Sequence, residues 1–214
     1  MKKYAIIVAG GSGTRMKSKV PKQFLIVDEE PIIIQTIRKF ILAIPDLKLI
    51  VVLPPDEVSR WEKLKSHYPI IREVEIAMGG STRTTSVLSG LSKIEGGGLV
   101  AIHDAVRPHV EPATIISSYE SAEINGSGVA AVPLKDSIRE LFPKKKSKAR
   151  NRNNYVLVQT PQTFDIKKLK KAYAGIGDLA FTDDASVYEH AGEEVFLVEG
   201  SHSNIKITTP DDLK

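Results

Sequence analysis

The chain has no cysteine, which excludes a disulfide framework and a thiolate metal site. No apolar run approaches the roughly 20 residues needed to cross a bilayer. The opening "MKKYAIIVAGG" carries only about six apolar residues before glycine, too few for a signal-peptide core, so a soluble, cytoplasmic protein is expected. Without secretion, the "NGS" at Asn125 reads as a turn rather than a glycosylation site. The five histidines, at 67, 103, 109, 190 and 202, lack ligand-like spacing, so a zinc site is not expected. His103 should point to the opposite side of its strand from Asp104 and be packed. Internal repeats and low-complexity segments are absent too.

What is present is a hydrophobic content of 42%, enough for a sizeable core, in a chain of 214 residues and net charge +4. Lysine and arginine are dispersed except in "KKKSKARNR" at 144–152, which reads as a solvated loop and not as a nucleic-acid surface.

Strand-length apolar runs recur at Tyr4 to Ala9, Leu47 to Leu53, Val74 to Met78, Leu99 to His103 and Val129 to Val132. Between them lie segments of helical spacing. Pro31 opens one with Ile33, Ile34, Ile37, Phe40 and Ile41 on a shared face. "PDEVSRWEKLKSHY" is a second, "STRTTSVLSGLSKI" a third with Val87, Leu88 and Leu91 on one stripe, and "EPATIISSYESAEI" a fourth. Continuous apolar strands alternating with helices predict an α/β sandwich, a mainly parallel sheet covered on both faces. Ligands of such sheets collect at the carboxyl ends of the strands.

The alternation breaks after Pro133. Residues 134–154 are polar and basic, and a structureless loop of about that length is unusual in a compact domain, so a projecting β-arm is expected there. "YVLVQ" resumes strand character. A helix at Ile166 to Tyr173, a loop "GIGDLAFTDDAS", a helix capped by Asp183 or Asp184, strands in "EVFLVEG" and "NIKIT", and a final helix from "PDDLK" should follow. One domain, 1–214, with an arm at about 134–155 is the expected organisation.

The first strand runs into "AGGSGTRMKSKVPKQFL". As a dinucleotide fingerprint it offers Gly11 and Gly13 but Met16 for the third glycine, and as a Walker loop it again has Met16 at the second glycine. A glycine loop followed by Arg15 and Lys22 instead suits a triphosphate held by backbone donors and cations. Asp104 in "AIHDAVRP", with Arg107 three residues on, falls at the end of a strand. Beside a polyphosphate loop it reads as a Mg²⁺ ligand with a phosphate clamp, since Mg²⁺ in nucleotide sites takes one or two carboxylates plus phosphate oxygens and waters.

Seven segments stand in a familiar order: "AGGSGTRM", "PKQFL", "GGSTRTTSVLSGL", "IHDAVRP", "TPQTF", "TDDAS" and "NIKITTPDDL". Over essentially its whole length the chain resembles the 2-C-methyl-D-erythritol 4-phosphate cytidylyltransferases of non-mevalonate isoprenoid synthesis. The related ribitol-5-phosphate cytidylyltransferases share most of these signatures. The resemblance implies a Rossmann-like sheet, a homodimer joined through the arm, and transfer of CMP from CTP to a sugar-alcohol phosphate with release of pyrophosphate. It implies no nucleic-acid or membrane partner.

On that likeness Ala9, Gly10, Gly11, Ser12 and Gly13 wrap the nucleotide, and Arg15, Lys22 and Lys206 hold the phosphates and steady the transition state. Gly79, Gly80, Ser81, Arg83 and Ser86 form the cytosine and ribose site, and Asp104 is the magnesium residue. Arg107 and Thr182 lie near the acceptor, joined by Ser137 and Arg152 from the neighbouring subunit's arm. Ser137 stands where the family carries Thr, which keeps a hydroxyl yet leaves the choice between methylerythritol and ribitol phosphates open. Ser81 and Thr82 replace the usual acidic residue before the "SV" helix.

Such a reaction needs no catalytic base, because the acceptor is already a phosphate monoester; positioning and charge neutralisation carry the rate. A nicotinamide-dependent oxidoreductase, disfavoured by Met16, and a nucleotide-sensing module without catalysis are the readings from other classes.

Overall fold

Four runs rich in Val, Ile, Leu and Ala form strands of a central sheet and are buried on both faces, as parallel strands under helices must be, while a fifth, Glu75–Met78, forms its edge with Glu75 and Met78 exposed. The computed structural model describes residues 1–10, 20–177 and 179–213. Its elements are β1 (Lys3–Val8), β2 (Ile26–Val27), β3 (Glu30–Pro31), α1 (Ile32–Ala43), β4 (Lys48–Leu53), α2 (Val58–His67), β5 (Glu75–Met78), α3 (Arg83–Ser92) and β6 (Leu99–Asp104). There follow α4 (Pro112–Asn125), β7 (Ser127–Pro133), β8 (Ile138–Leu141), β9 (Ser147–Arg150), β10 (Val156–Asp165), α5 (Ile166–Ala174), α6 (Asp184–His190) and β11 (Leu197–Glu199).

Seven strands join in the order β11-β7-β10-β6-β1-β4-β5. The central strand β1 pairs in parallel with both β4 and β6, and only β10 runs antiparallel to its neighbours. Because side chains alternate across a strand, each run feeds two cores. Ala5, Ile7, Leu49 and Val51 meet α1, α2 and α4 through Ile33, Ile37, Phe40, Trp61 and Ile115. Tyr4, Ile6, Ile50 and Val52 meet α3, α5 and α6 through Val87, Leu91, Leu169 and Val187. The α/β sandwich expected from the alternation is the observed architecture.

Several details differ. Leu88 is not on the buried stripe of α3: it is 38% exposed, while Val87 and Leu91 carry the packing. The "YVLVQ" strand continues to Asp165 through a register shift between Val158 and Gln162, with a cis peptide bond at Thr160–Pro161. "NIKIT" forms no strand. Its backbone bonds instead to the loop after β6, Ile207 N–H to Val106 O at 2.9 Å, which takes it out of the sheet. The last helix is a single 3-10 turn, Pro210–Leu213, in which Asp212 accepts bonds from the Thr208 and Thr209 backbones and hydroxyls. The turn read at Asn125 is the end of α4, closed by Gly126 in the left-handed region at φ 90°.

The expected arm is a hairpin of β8 and β9, a two-stranded sheet apart from the main one. Lys144 and Lys145 make its turn with φ of 59° and 58°, and its residues lie almost wholly in solvent. At its base Tyr155, Val156, Leu157 and Val158 are all exposed, so both faces of β10 emerge there from the core. Among the described residues no helix is long and apolar enough to cross a membrane.

Candidate active site

The carboxyl ends of β1, β4, β5 and β6 end side by side, and the chemistry-bearing residues lie just beyond them. After β1, Ala9 N–H bonds to Val52 O at 2.9 Å, and the buried Gln23 amide donates to Ala9 O at 2.9 Å. Gln23 belongs to a 3-10 turn, Lys22–Phe24, which also fixes the stem of Lys22; the Lys22 ammonium reaches Ile207 O at 3.2 Å. Gly11, Ser12, Gly13 and Arg15 lie outside the described residues.

After β5, Gly79 N–H bonds to Leu53 O at 2.7 Å and the chain turns directly into α3. Thr82 and Thr85 cap that helix reciprocally, Thr85 N–H to Thr82 Oγ1 at 3.1 Å and Thr82 N–H to Thr85 Oγ1 at 3.0 Å. Ser86 Oγ donates to Thr82 O and accepts from Gly80 N–H at 3.1 Å, bracing the loop from inside. A side chain at Gly80 has no room, since its Cβ would fall 2.2 Å from Thr85 Oγ1. A Cβ at Gly10 would sit 3.0 Å from Ser86 Oγ, so the loop after β1 and the start of α3 abut.

At the end of β6, Asp104 is 7% exposed and faces three cations. Lys206 Nζ lies 2.8 Å from Oδ2, Arg107 Nε 3.6 Å from Oδ2, and Arg83 Nε 3.9 Å from Oδ1. Burial alone would raise the Asp104 carboxyl, but Lys206, Arg83 and Arg107 outweigh it and bring it down to about 2. It is therefore an anion at any working pH. Four residues named from sequence, Arg83, Asp104, Arg107 and Lys206, meet here.

A hydrogen-bonded ring holds this group in place. Asp104 N–H donates to Thr160 Oγ1 at 3.1 Å, and Thr160 O accepts from Asn204 Nδ2 at 2.9 Å. Asn204 O in turn accepts from Arg107 Nη1 at 2.6 Å. His103 is wholly buried against Phe40, with Nδ1 3.1 Å from Thr160 Oγ1 and Nε2 3.2 Å from Arg107 O. A carbonyl only accepts, so Nε2 carries the proton, and Thr160, whose Oγ1 already accepts from Asp104 N–H, has a hydroxyl to donate to Nδ1, the pattern of a neutral ring. Burial, against the pull of Asp104, takes its pKa down to about 4. This is the packed role expected of it.

A family model described as 2-C-methyl-D-erythritol 4-phosphate cytidylyltransferase matches residues 4–214. The chain belongs to this family. The protein of that name from Phocaeicola vulgatus is 44% identical over 214 residues, covering 100% of this chain and 97% of that protein. The one from Bacteroides fragilis is 42% identical over 210 residues, covering 98% and 95%. Among solved structures, the Thermus thermophilus protein of the same name superimposes with a TM-score of 0.80 at 30% identity, covering 100% of this chain and 96% of that one. The 4-diphosphocytidyl-2C-methyl-D-erythritol synthase of Anaerococcus prevotii gives a TM-score of 0.85 at 26% identity, covering 99% and 94%.

Other positions named from sequence are not among the residues that contact Asp104. Ser81 and Thr182 are exposed on the loops before α3 and α6. Ser137 and Arg152 stand on the arm, where Arg152 donates to Lys135 O. The acidic pair of "TDDAS" splits its roles. Asp183 caps α6, accepting from Ser186 N–H at 3.1 Å, as expected. Asp184 does not cap: it is wholly buried and binds Arg83 Nη2 at 2.5 Å. Gln23, Thr160, Asn204 and Asp184 were all inside the quoted family segments, yet no residue-type rule gave the first three a role and Asp184 was read only as a candidate cap, because each acts through a neighbour that distant chain segments supply.

Proposed function

We propose that the protein transfers CMP from CTP to the phosphate of 2-C-methyl-D-erythritol 4-phosphate, releasing pyrophosphate and forming CDP-methylerythritol for non-mevalonate isoprenoid synthesis. The observation that carries the site assignment is the single carboxylate of Asp104, fenced by Lys206, Arg83 and Arg107 where the strands end. An oxygen of the acceptor phosphate forms the new bond to the α-phosphorus, and the bond to the β-phosphate bridging oxygen breaks. Negative charge gathers on the equatorial α-oxygens, so fixed cations aimed there supply the rate. Lys206, Lys22 and Arg15 take that role, with Arg107 and Thr182 set toward the acceptor.

CTP enters between the two glycine loops, with Ala9, Gly10, Gly11, Ser12 and Gly13 on the phosphate side and Gly79, Gly80, Ser81, Arg83 and Ser86 on the cytidine side. The Asp104 carboxylate fits a divalent metal of the kind nucleotidyltransferases use. It is ionised, and one carboxylate suffices where phosphate oxygens and water complete a Mg²⁺ shell. Bound there, Mg²⁺ would neutralise charge on the triphosphate and the leaving pyrophosphate. The triphosphate offers Lys206 a new partner, which releases the carboxylate oxygen it occupies in this structure.

The arm serves a homodimer in which Ser137 and Arg152 of one subunit complete the acceptor pocket of the other. The exposed apolar residues Tyr155 to Val158 at its base support that reading. Ribitol 5-phosphate is the second acceptor to consider, because Ser137 replaces the family threonine. Pyrophosphate release with CTP, Mg²⁺ and each acceptor in turn tests the proposal. Turnover should favour methylerythritol phosphate, and preference for ribitol phosphate would overturn the substrate assignment.

A further inference from the structure

Arg83 is held from behind. Its Nη2 lies 2.5 Å from Asp184 Oδ2, and the other carboxylate oxygen, Oδ1, accepts the Tyr173 hydroxyl at 2.5 Å. Asp184 has no exposed surface, and its backbone N–H, with that of Ala185, is bound by Gln162 Oε1 at 3.0 and 2.9 Å. Four elements therefore converge on one residue: α6 provides it, β10 holds its backbone, α5 bonds its carboxylate, and α3 delivers the guanidinium. On its other side the same guanidinium turns Nε toward Asp104 Oδ1, 3.9 Å away. Burial opposes the Arg83 charge, but Asp184 and then Asp104 outweigh it and hold the group above its usual range. Tyr173, pushed up first by burial and then by the Asp184 charge, stays protonated and donates.

A buried ion pair is weak evidence of stabilisation, because desolvation offsets most of the attraction; what it does secure is one geometry. An unrestrained arginine at the first turn of a helix samples many rotamers, each lost on binding an anion. We infer that Asp184 is a positioning residue for the nucleotide site, locking the Arg83 guanidinium between a buried carboxylate and the site carboxylate so that CTP meets a cation already aimed. The inference rests on the placement of Arg83 on the nucleotide.

The test compares Asp184→Asn, Arg83→Ala and the double variant in the full-length protein. Each is assayed for pyrophosphate release over a range of CTP concentrations, with urea unfolding to confirm the fold. Asn keeps the shape and an acceptor for Tyr173 while removing the charge. The KM for CTP should rise about tenfold, the scale of losing a charge-assisted bond, with the change falling on KM rather than kcat. In the Arg83→Ala background the same substitution should add little. An unchanged KM in a folded Asp184→Asn, while Arg83→Ala is impaired, would overturn the positioning role alone; so would an equal rise in both backgrounds. An unchanged KM in Arg83→Ala would remove the nucleotide placement of Arg83 and the inference with it. Should Asp184→Asn not fold, Tyr173→Phe takes its place. A raised KM for CTP supports the brace and an unchanged one overturns it.

Discussion

Lys206 Nζ and Asp104 Oδ2 stand 2.8 Å apart, tying the segment after β11 to the end of β6. The pair closes a circuit, since Ile207, next to Lys206, accepts the Lys22 ammonium through its carbonyl and donates its N–H to Val106 O. Cations from two ends of the chain are thus set by one short stretch that belongs to no strand.

Lys206→Ala should lower turnover by about 10², the scale of removing one donor aimed at transition-state charge. Its side chain is 40% exposed, and Arg83 and Arg107 still face Asp104, so the fold should stand. Steady-state pyrophosphate release beside a thermal melt checks both halves. Turnover within a few-fold of the parent would remove Lys206 from the transition state.

His103 makes stability depend on pH. Its folded-state pKa is depressed from 6.5 to about 4, so as pH falls through 6.5 the unfolded chain takes up a proton that the folded one refuses. Stability is intact above 6.5 and declines toward pH 4, by about 3 kcal/mol from this residue. Urea unfolding of the parent and of His103→Asn between pH 7 and 4 measures it. The gap between the two proteins should narrow by that amount as pH drops, and a constant gap would rule out the neutral buried ring.

How much of this was legible in the chain divides by the distance of the partners. The strands β1, β4 and β6 announced themselves because residues buried on both faces must be apolar almost throughout, and the ligand end of the sheet followed from their direction. Asp104 was readable for the same reason, as a carboxylate ending a buried run. Asp184 was not. Two adjacent aspartates before a helix look alike until Tyr173 and Arg83 arrive from other elements to bury one of them. "NIKIT" misled because its alternation is that of a strand, whereas the contact of Ile207 with Val106 uses the backbone group that a sheet would have needed.

Gly80→Ala should damage both fold and binding. The new Cβ would press on Thr85, whose hydroxyl closes the cap of α3, and cannot be accommodated without moving the first turn that carries Arg83. A loss of about 1–3 kcal/mol is expected from the overpacking and the weakened cap together. The urea midpoint should fall with the slope unchanged, and CTP titration should show weaker binding. A variant with parent-like midpoint and affinity would mean that the loop is looser than its 2.2 Å clash implies.

The arm offers a test that no single-subunit account can meet. If Arg152 serves the partner's pocket while Lys22 serves its own, Lys22→Ala and Arg152→Ala subunits are each defective at different halves of a site. Mixing them after brief dissociation forms heterodimers in which one site receives both an intact Lys22 and an intact Arg152. Activity should then reappear that neither variant has alone. Leu157→Glu in both subunits should abolish that recovery by placing a charge on the exposed apolar base of the arm, with sedimentation showing monomers. Mixtures that stay inactive although sedimentation shows exchanged dimers would place Arg152 in its own subunit's site or in none.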